Sequence, residues 1–383
     1  MKIFLQSIIK NKKIKVVFNY LKLFLNNLLR KFNYKLNKNK KINFVIEKAD
    51  WSIKWDGIYM KKYINKNYGE NLIELSNIPL INHPPKIIHF GSQYMWVDWS
   101  KLISKNNKYV VSFFHGKYED GTVASRYIDE FINTTDALYR VITASSLIYK
   151  RLKEWGIPKS KLIQIPIGVD TNLFSLPSII QKKNIRQKLG FKDHEIVIGS
   201  FQKDGIGWSE GNQPKFIKGP DIFVNSIDLI SKEFPVAVLL TGPARGYVKN
   251  QLKDRGIKFK HIYLNHYEEI VNYYHALDLY IISSREEGGP KAIVESMASG
   301  VPLVSTNVGM ANDFIVDNIN GALVENFDPD EIAKKSLKIL KTPFKENLIK
   351  QARLDVMKAD WKVVADMHWQ NVYLPALKEL NEK

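Results

Sequence analysis

Two carboxylates, Glu287 and Glu295, stand eight residues apart and bracket the run Gly288-Gly289-Pro290. The surrounding residues 281–309 read as a strand end, a glycine turn, a helix and a second strand. Pro290 suits a first helical position, where its missing N–H costs nothing and its φ is already helical. Gly288 and Gly289 then lie at the helix mouth. Unpaired amide N–H groups and the positive end of the helix dipole attract an anion there, such as a diphosphate. Glycines also let a ligand come close to the backbone. Glu287 would lie in the turn beside that anion and Glu295 on the helix behind it. Acceptor-only carboxylates in those positions suit hydroxyl-rich groups, a ribose and a hexose. The plain alternative is a surface helix with ordinary glutamates in its first turns.

With its flanks, this stretch resembles the donor-site motif (E-x7-E) of retaining glycosyltransferases of the GT-B fold, the large family 4 group. Further elements resemble that family in the same order, from about Tyr109 to the C-terminus, while the first hundred or so residues diverge. Ile165-Pro166-Ile167-Gly168-Val169-Asp170 matches the signature that closes the family's N-terminal domain, with Ile167 where Asn is usual. Lys218-Gly219 fits the lysine that precedes a helix start and contacts the diphosphate. The family's arginine after the preceding strand is missing, and the longer loop there offers Lys203 in its place. Arg245, just past the strand VAVLLTGP, is a weaker phosphate candidate. His115, at the end of YVVSFFHG, resembles the histidine that faces the donor sugar, although a lone histidine is more often structural. Gly309 resembles the glycine that lets a loop pass close to the nucleotide, and residues 320–324 resemble the hairpin that follows.

The elements that must position these residues follow from length and periodicity. At 383 residues the chain allows two domains, each with its own core. Short apolar runs alternate with helical patterns throughout, which argues α/β architecture with parallel doubly wound sheets. The resemblance specifies this as GT-B: two Rossmann-like doubly wound domains facing across a cleft. The expected division is a basic segment over 1–40, an acceptor-side domain over 41–175 and a nucleotide-sugar domain over 176–360. A terminal helix over 361–383 is expected to return to the first domain. Residues 171–184 read as the linker. The turn after the first strand carries Trp51, Trp55, Asp56, Gly57 and Tyr59, which could meet a sugar or simply pack.

Composition narrows the chemistry. Hydrophobic content of 45% and charged content of 25% are those of a globular protein. There are no cysteines, which excludes disulfides, thiolate zinc sites and a cysteine nucleophile. The eight histidines show no metal-ligand spacing, so no metal is expected. The loop containing Gly205, Gly207 and Gly211 is too irregular for a dinucleotide fingerprint, and no cofactor is expected beyond a nucleotide sugar as co-substrate.

Formal charge is +18, and twelve Lys and Arg fall within the first 46 residues, which hold no Asp or Glu. Apolar residues at helical spacing from Ile14 to Phe32 make that head a basic amphipathic helix. No apolar run reaches the ~20 residues that a spanning helix needs. Peripheral contact with an anionic membrane on its cytoplasmic face fits, as does packing on the protein's own domain.

The resemblance implies a retaining hexosyltransferase that uses a nucleotide-diphosphate sugar and a glycan or lipid-linked acceptor, in cell-surface polysaccharide synthesis. Glu295 would hold the ribose, and Glu287 the transferred sugar. A donor phosphate oxygen would help to deprotonate the acceptor, with no protein general base. Three alternatives stand beside it: a GT-B nucleotide-sugar epimerase, a membrane-bound binding protein and a basic nucleic-acid-binding protein. No nucleic-acid-binding module is recognisable, so nucleic acid is not an expected partner.

Overall fold

The computed structural model describes residues 17–22, 41–47, 52–81 and 86–382, and these divide into two compact units. Unit 1 takes the residues up to Ala144, Ile148–Ile165 and those from Trp361 onward; unit 2 takes Ser145–Leu147 and Pro166–Asp360. Trp51 and most of the basic head lie outside the described residues. Residues 17–22 are helical, and Asn19 donates to the Asp98 carbonyl at 3.4 Å. Among the described residues, no helix is long and apolar enough to cross a membrane.

Unit 1 is built on a parallel six-stranded sheet in the order β2-β1-β3-β4-β5-β6. Its strands are β1 (Ile42–Val45), β2 (Ile73–Ser76), β3 (Ile87–Phe90), β4 (Lys108–Phe113), β5 (Leu138–Thr143) and β6 (Leu162–Gln164). Ile42, Ile87, Val110 and Val141 are fully buried, as expected of parallel strands covered on both faces. Its helices include α1 (Ser52–Tyr68), α2 (Gln93–Trp99), α3 (Thr122–Ile132) and α4 (Ser146–Glu154), the last from Ile148 onward.

The segment expected to be a turn after β1 is instead the 17-residue helix α1. Tyr59, Met60, Tyr63 and Ile64 recur at helical spacing and are buried, and that period outweighs the turn-like Asp-Gly pair. A Cβ on Gly57 would come within 2.6 Å of Ile46 Cγ2, so glycine here serves helix–sheet packing. Tyr59 stacks on Trp361 with centroids 5.6 Å apart, which uses the aromatic face for the core.

Unit 2 repeats the plan with a parallel sheet in the order β12-β11-β10-β7-β8-β9. The strands are β7 (Ile196–Ser200), β8 (Val236–Thr241), β9 (Lys258–Ile262), β10 (Leu279–Ile282), β11 (Leu303–Thr306) and β12 (Ala322–Val324). Helix α5 (Ile179–Leu189) precedes them, so the expected linker over 171–184 ends early. Ser178 and Gln181 form a capping box there, a sequence signal that marks the true helix start. α6 (Pro220–Ser231), α7 (Gly246–Asp254), α8 (Ile270–His275) and α9 (Lys291–Ala298) connect the strands. The core gathers Ile198, Val238, Leu240 and Ile281 with Phe223 and Ile227 of α6. β12 runs parallel to β11 as an edge strand, where a hairpin was expected.

α10 (Ala311–Phe314), α11 (Pro329–Lys341) and α12 (Lys345–Asp355) complete unit 2. Asp328 caps α11, accepting from the Asp330 N–H at 3.0 Å. The terminal segment of unit 1 runs as α13 (Trp361–His368), a π-turn (Trp369–Tyr373) and α14 (Leu374–Asn381). Tyr373 is fully buried and its hydroxyl meets His89 Nδ1 of β3 at 2.7 Å.

Candidate active site

The strand order of unit 2 places its first strand, β7, beside its fourth, β10, with connections leaving in opposite directions. That is the switch point of a doubly wound sheet, where the crevice beyond the strand ends receives ligands. The loops after β7 and β10 are stitched together here. Ser283 Oγ donates to the Gly219 carbonyl at 2.8 Å. Arg285 donates to the Phe216 carbonyl at 2.7 Å and forks onto Asp221 at 2.9 and 2.7 Å. Burial works against ionisation of Asp221, but the Arg285 fork outweighs it and holds the carboxyl below its usual range. Gly219 has φ +60°, and a Cβ there would sit 1.8 Å from the Ser283 carbonyl oxygen. Only glycine fits that approach.

Glu287 and Lys218, 69 residues apart in sequence, meet across these loops: Lys218 Nζ donates to Glu287 Oε1 at 2.6 Å. Ser284 Oγ donates to the same oxygen at 2.9 Å. Gln202 Nε2 holds the Lys218 carbonyl at 3.0 Å. Ser284 and Gln202 escaped the sequence reading because nothing local distinguishes them. Pro290 stands at the N-cap of α9, one position earlier than expected, and accepts from the Ile293 N–H at 3.1 Å. Among the described residues, the N–H groups of Gly288, Gly289 and Ala292 donate to no backbone carbonyl. Gly309, φ +52°, packs against this turn: a Cβ would lie 2.9 Å from both Gly288 C and Pro290 Cδ. Ammonium, carboxylate and helix-mouth amides thus share one strand-end crevice.

Glu295 lies behind them and is buried. Tyr274 Oη donates to Glu295 Oε2 at 2.8 Å, and Tyr267 Oη donates to Oε1. Burial, then the Glu295 charge, push the Tyr274 hydroxyl far above its ordinary pKa, so it stays a donor. Lys291 Nζ sits over the Tyr267 ring, 4.9 Å from its centroid. The two tyrosines lie seven residues apart within 267–274, a spacing that gives no hint of a shared carboxylate.

Lys203 and Lys215 lie on the loop after β7. Lys203 Nζ rests 3.8 Å from the centroid of exposed Trp208. Partial desolvation, then repulsion from Lys218, hold the Lys215 ammonium below the usual lysine range; Glu287 acts the other way and Lys203 adds to the repulsion.

Arg245, expected as a phosphate contact, is placed differently. It is fully buried and donates to the Ser200 and Thr241 carbonyls at 2.6 and 2.9 Å. It also donates to Ser200 Oγ at 3.1 Å and pairs with Asp204, 3.0 Å away and equally buried. Fully buried and turned toward β7, β8 and a buried carboxylate, the guanidinium exposes no nitrogen to a ligand. Its task is to hold the loop.

His115 belongs to unit 1, two residues beyond β4, and is half-buried. With Gln93, Tyr94, Gly116 and Tyr127 it lines a shallow hollow within that unit. Gln93 Nε2 fixes its carbonyl at 2.8 Å, and the Tyr94 ring meets its imidazole edge-on with centroids 6.3 Å apart. Among the described residues, no cluster of three or more His, Asp or Glu side chains is arranged to hold a metal ion.

Residues 213–355 match the family model described as glycosyl transferases group 1. Mannosylfructose-phosphate synthase of Agrobacterium fabrum is 24% identical over 303 residues, covering 74% of this chain and 61% of that protein. A UDP-Gal:alpha-D-GlcNAc-diphosphoundecaprenol alpha-1,3-galactosyltransferase of Escherichia coli is 27% identical over 194 residues, 49% of this chain and 47% of that one. The chain thus spans about half to three-fifths of the length of these two curated relatives. Among solved structures, Anabaena Alr3699/HepE in complex with UDP and glucose superposes with TM-score 0.70 at 18% identity, over 87% of this chain and 99% of that one. Sucrose-phosphate synthase of Thermosynechococcus elongatus gives TM-score 0.69 at 15% identity, over 89% and 100%. The fold is GT-B.

Proposed function

We propose that this chain, whose residues 213–355 match the family model of group 1 glycosyl transferases and whose fold is GT-B, transfers a hexose from a nucleotide sugar. The observation that carries the proposal is the Lys218–Glu287 contact at the switch point, beside the amides of Gly288 and Gly289. Departure of a nucleoside diphosphate develops charge on its phosphate oxygens, and preorganised cations and amides stabilise that charge most. Lys218, Lys203 and the α9 mouth supply these groups. Glu287 is the acceptor for hydroxyls of the transferred sugar. Glu295, already bonded to Tyr267 and Tyr274, receives the ribose beside the Tyr267 hydroxyl. Attack on the same face as departure retains the anomeric configuration, with a donor phosphate oxygen taking the acceptor's proton. That scheme needs neither a protein base nor a metal.

The acceptor is a glycan or a lipid-linked glycan of cell-surface polysaccharide synthesis. The lipid diphosphate in the E. coli relative's name and the basic head of this chain both support that class. The test is nucleotide release from UDP-, GDP- and ADP-hexoses with a panel of glycan and lipid-linked acceptors, with and without anionic vesicles. Glu287→Gln should lower turnover on the order of 100-fold through loss of sugar positioning. Product NMR should show the donor's anomeric configuration. No release from any donor, an inverted product, or isomerised donor without acceptor would each reject the proposal.

A further inference from the structure

The loop between β7 and α6 is longer than a strand-to-helix connection requires, and it has an architecture of its own. Gly205 and Pro214 form an antiparallel bridge. The Ile206 N–H donates to the Gln213 carbonyl at 2.9 Å, and the Lys215 N–H to the Asp204 carbonyl at 2.7 Å. Residues 204–215 are therefore a small hairpin. It is fastened to the turn after β8: Gly246 N–H donates to the Glu210 carbonyl at 2.6 Å and Tyr247 N–H to the Gly211 carbonyl at 3.0 Å. The Arg245–Asp204 pair locks its base.

The geometry has a chemical consequence at the hairpin's feet. Lys203 precedes one leg and Lys215 ends the other. The Lys218 N–H donates to the Lys215 carbonyl at 2.8 Å, so one tight turn links the second foot to the Glu287 contact. The Lys218 ammonium bonds the Glu287 carboxylate at 2.6 Å, and Lys203 and Lys218 both lie close enough to repel the Lys215 ammonium at the hairpin's second foot. The other carboxylates of this loop region have partners of their own: Asp221 with Arg285, Asp204 with Arg245, Glu210 with Lys249. Lys215 itself is exposed, and among the described residues its ammonium forms no ion pair. Like charges gathered by a rigid scaffold, at a place where a strand-end crevice receives ligands, call for an anion with more than one charge.

We propose that Lys215 is a direct diphosphate-binding residue, a third cation that the hairpin holds in place beside Lys203 and Lys218. The assignment rests on the donor site proposed above and adds a residue to it. The ligand chemistry is a diphosphate, whether borne by a nucleoside or free as pyrophosphate.

Titration calorimetry on the intact protein tests it, with UDP, GDP, ADP, the matching monophosphates and inorganic pyrophosphate as probes. For whichever nucleoside diphosphate binds, Lys215→Met should weaken affinity about 10-fold, the lower end for a lost charge-assisted hydrogen bond. Affinity for the monophosphate should change less than about 2-fold, and Lys215→Arg should restore most of the loss. Pyrophosphate that competes and shows the same loss would place the contact on the free anion as well; pyrophosphate that does not bind would tie it to the nucleotide-borne group. Unchanged diphosphate affinity, or equal losses for mono- and diphosphate, would overturn the role of Lys215 and leave the donor site standing. If the intact protein binds none of the nucleotides, the donor site falls and Lys215 with it.

Discussion

Replacing Arg245 by Met should damage unit 2 severely, and the structure indicates by how much. Arg245 is 0% exposed and Asp204 1%, with nitrogen and oxygen 3.0 Å apart. Deleting one partner of such a buried pair strands the other charge, a loss of about 3–5 kcal/mol. The Ser200 and Thr241 carbonyls also lose their donor, adding about 1 kcal/mol each. Arg245→Met should therefore cost about 5–7 kcal/mol, comparable with the whole stability of a marginal domain. Asp204→Asn strands the guanidinium instead. The double variant strands neither charge, so its cost should fall short of the sum of the single costs by about 2 kcal/mol or more. Because the chain has two units, hydrogen exchange over residues 196–254 under increasing urea isolates the one concerned. A loss below about 1 kcal/mol for Arg245→Met would refute the anchoring role. So would strict additivity in the double variant.

Gly219→Ala puts a methyl 1.8 Å from the Ser283 carbonyl in a left-handed backbone, which itself costs about 1–2 kcal/mol. Its melting temperature should drop and its donor affinity weaken together, because Ser283 leads into the loop that bears Glu287; an unchanged melt would contradict the close approach. In unit 1, burial holds both His89 and His368 neutral, the latter lowered to about 4. An unfolded chain takes up those protons near the ordinary histidine value. The stability contributed by the neutral pair is therefore complete above about pH 6.5 and lost as pH falls toward 4, by about 1.4 kcal/mol per unit for each histidine. Urea titrations at pH 7.5, 6 and 5 check this, and His89→Gln should flatten the slope.

Much of the candidate site was legible in the chain because its signals are local. Gly288-Gly289-Pro290 ahead of an apolar-periodic run announces a helix mouth within a few residues. The alternation of short apolar runs with helical patterns announces parallel, doubly covered sheets, since strands buried on both faces lose polar alternation. Spacing alone placed Glu287 in the turn and Glu295 on the helix behind it. The Ser178–Gln181 capping box was equally local and would have shortened the linker.

What only the tertiary structure decided are the pairings across long sequence separations. Lys218 meets Glu287 because the switch point sets β7 beside β10. Arg245 turns inward because a hairpin brings Asp204 beside it, and the same hairpin ends at Lys215, one tight turn before Lys218. The segment after β1 became a helix because Tyr59, Met60, Tyr63 and Ile64 had a sheet and Trp361 to bury against. Backbone preference and hydrophobic period are written in neighbouring residues. The partner of a charge depends on which strands lie side by side, and that is settled only when the whole core closes.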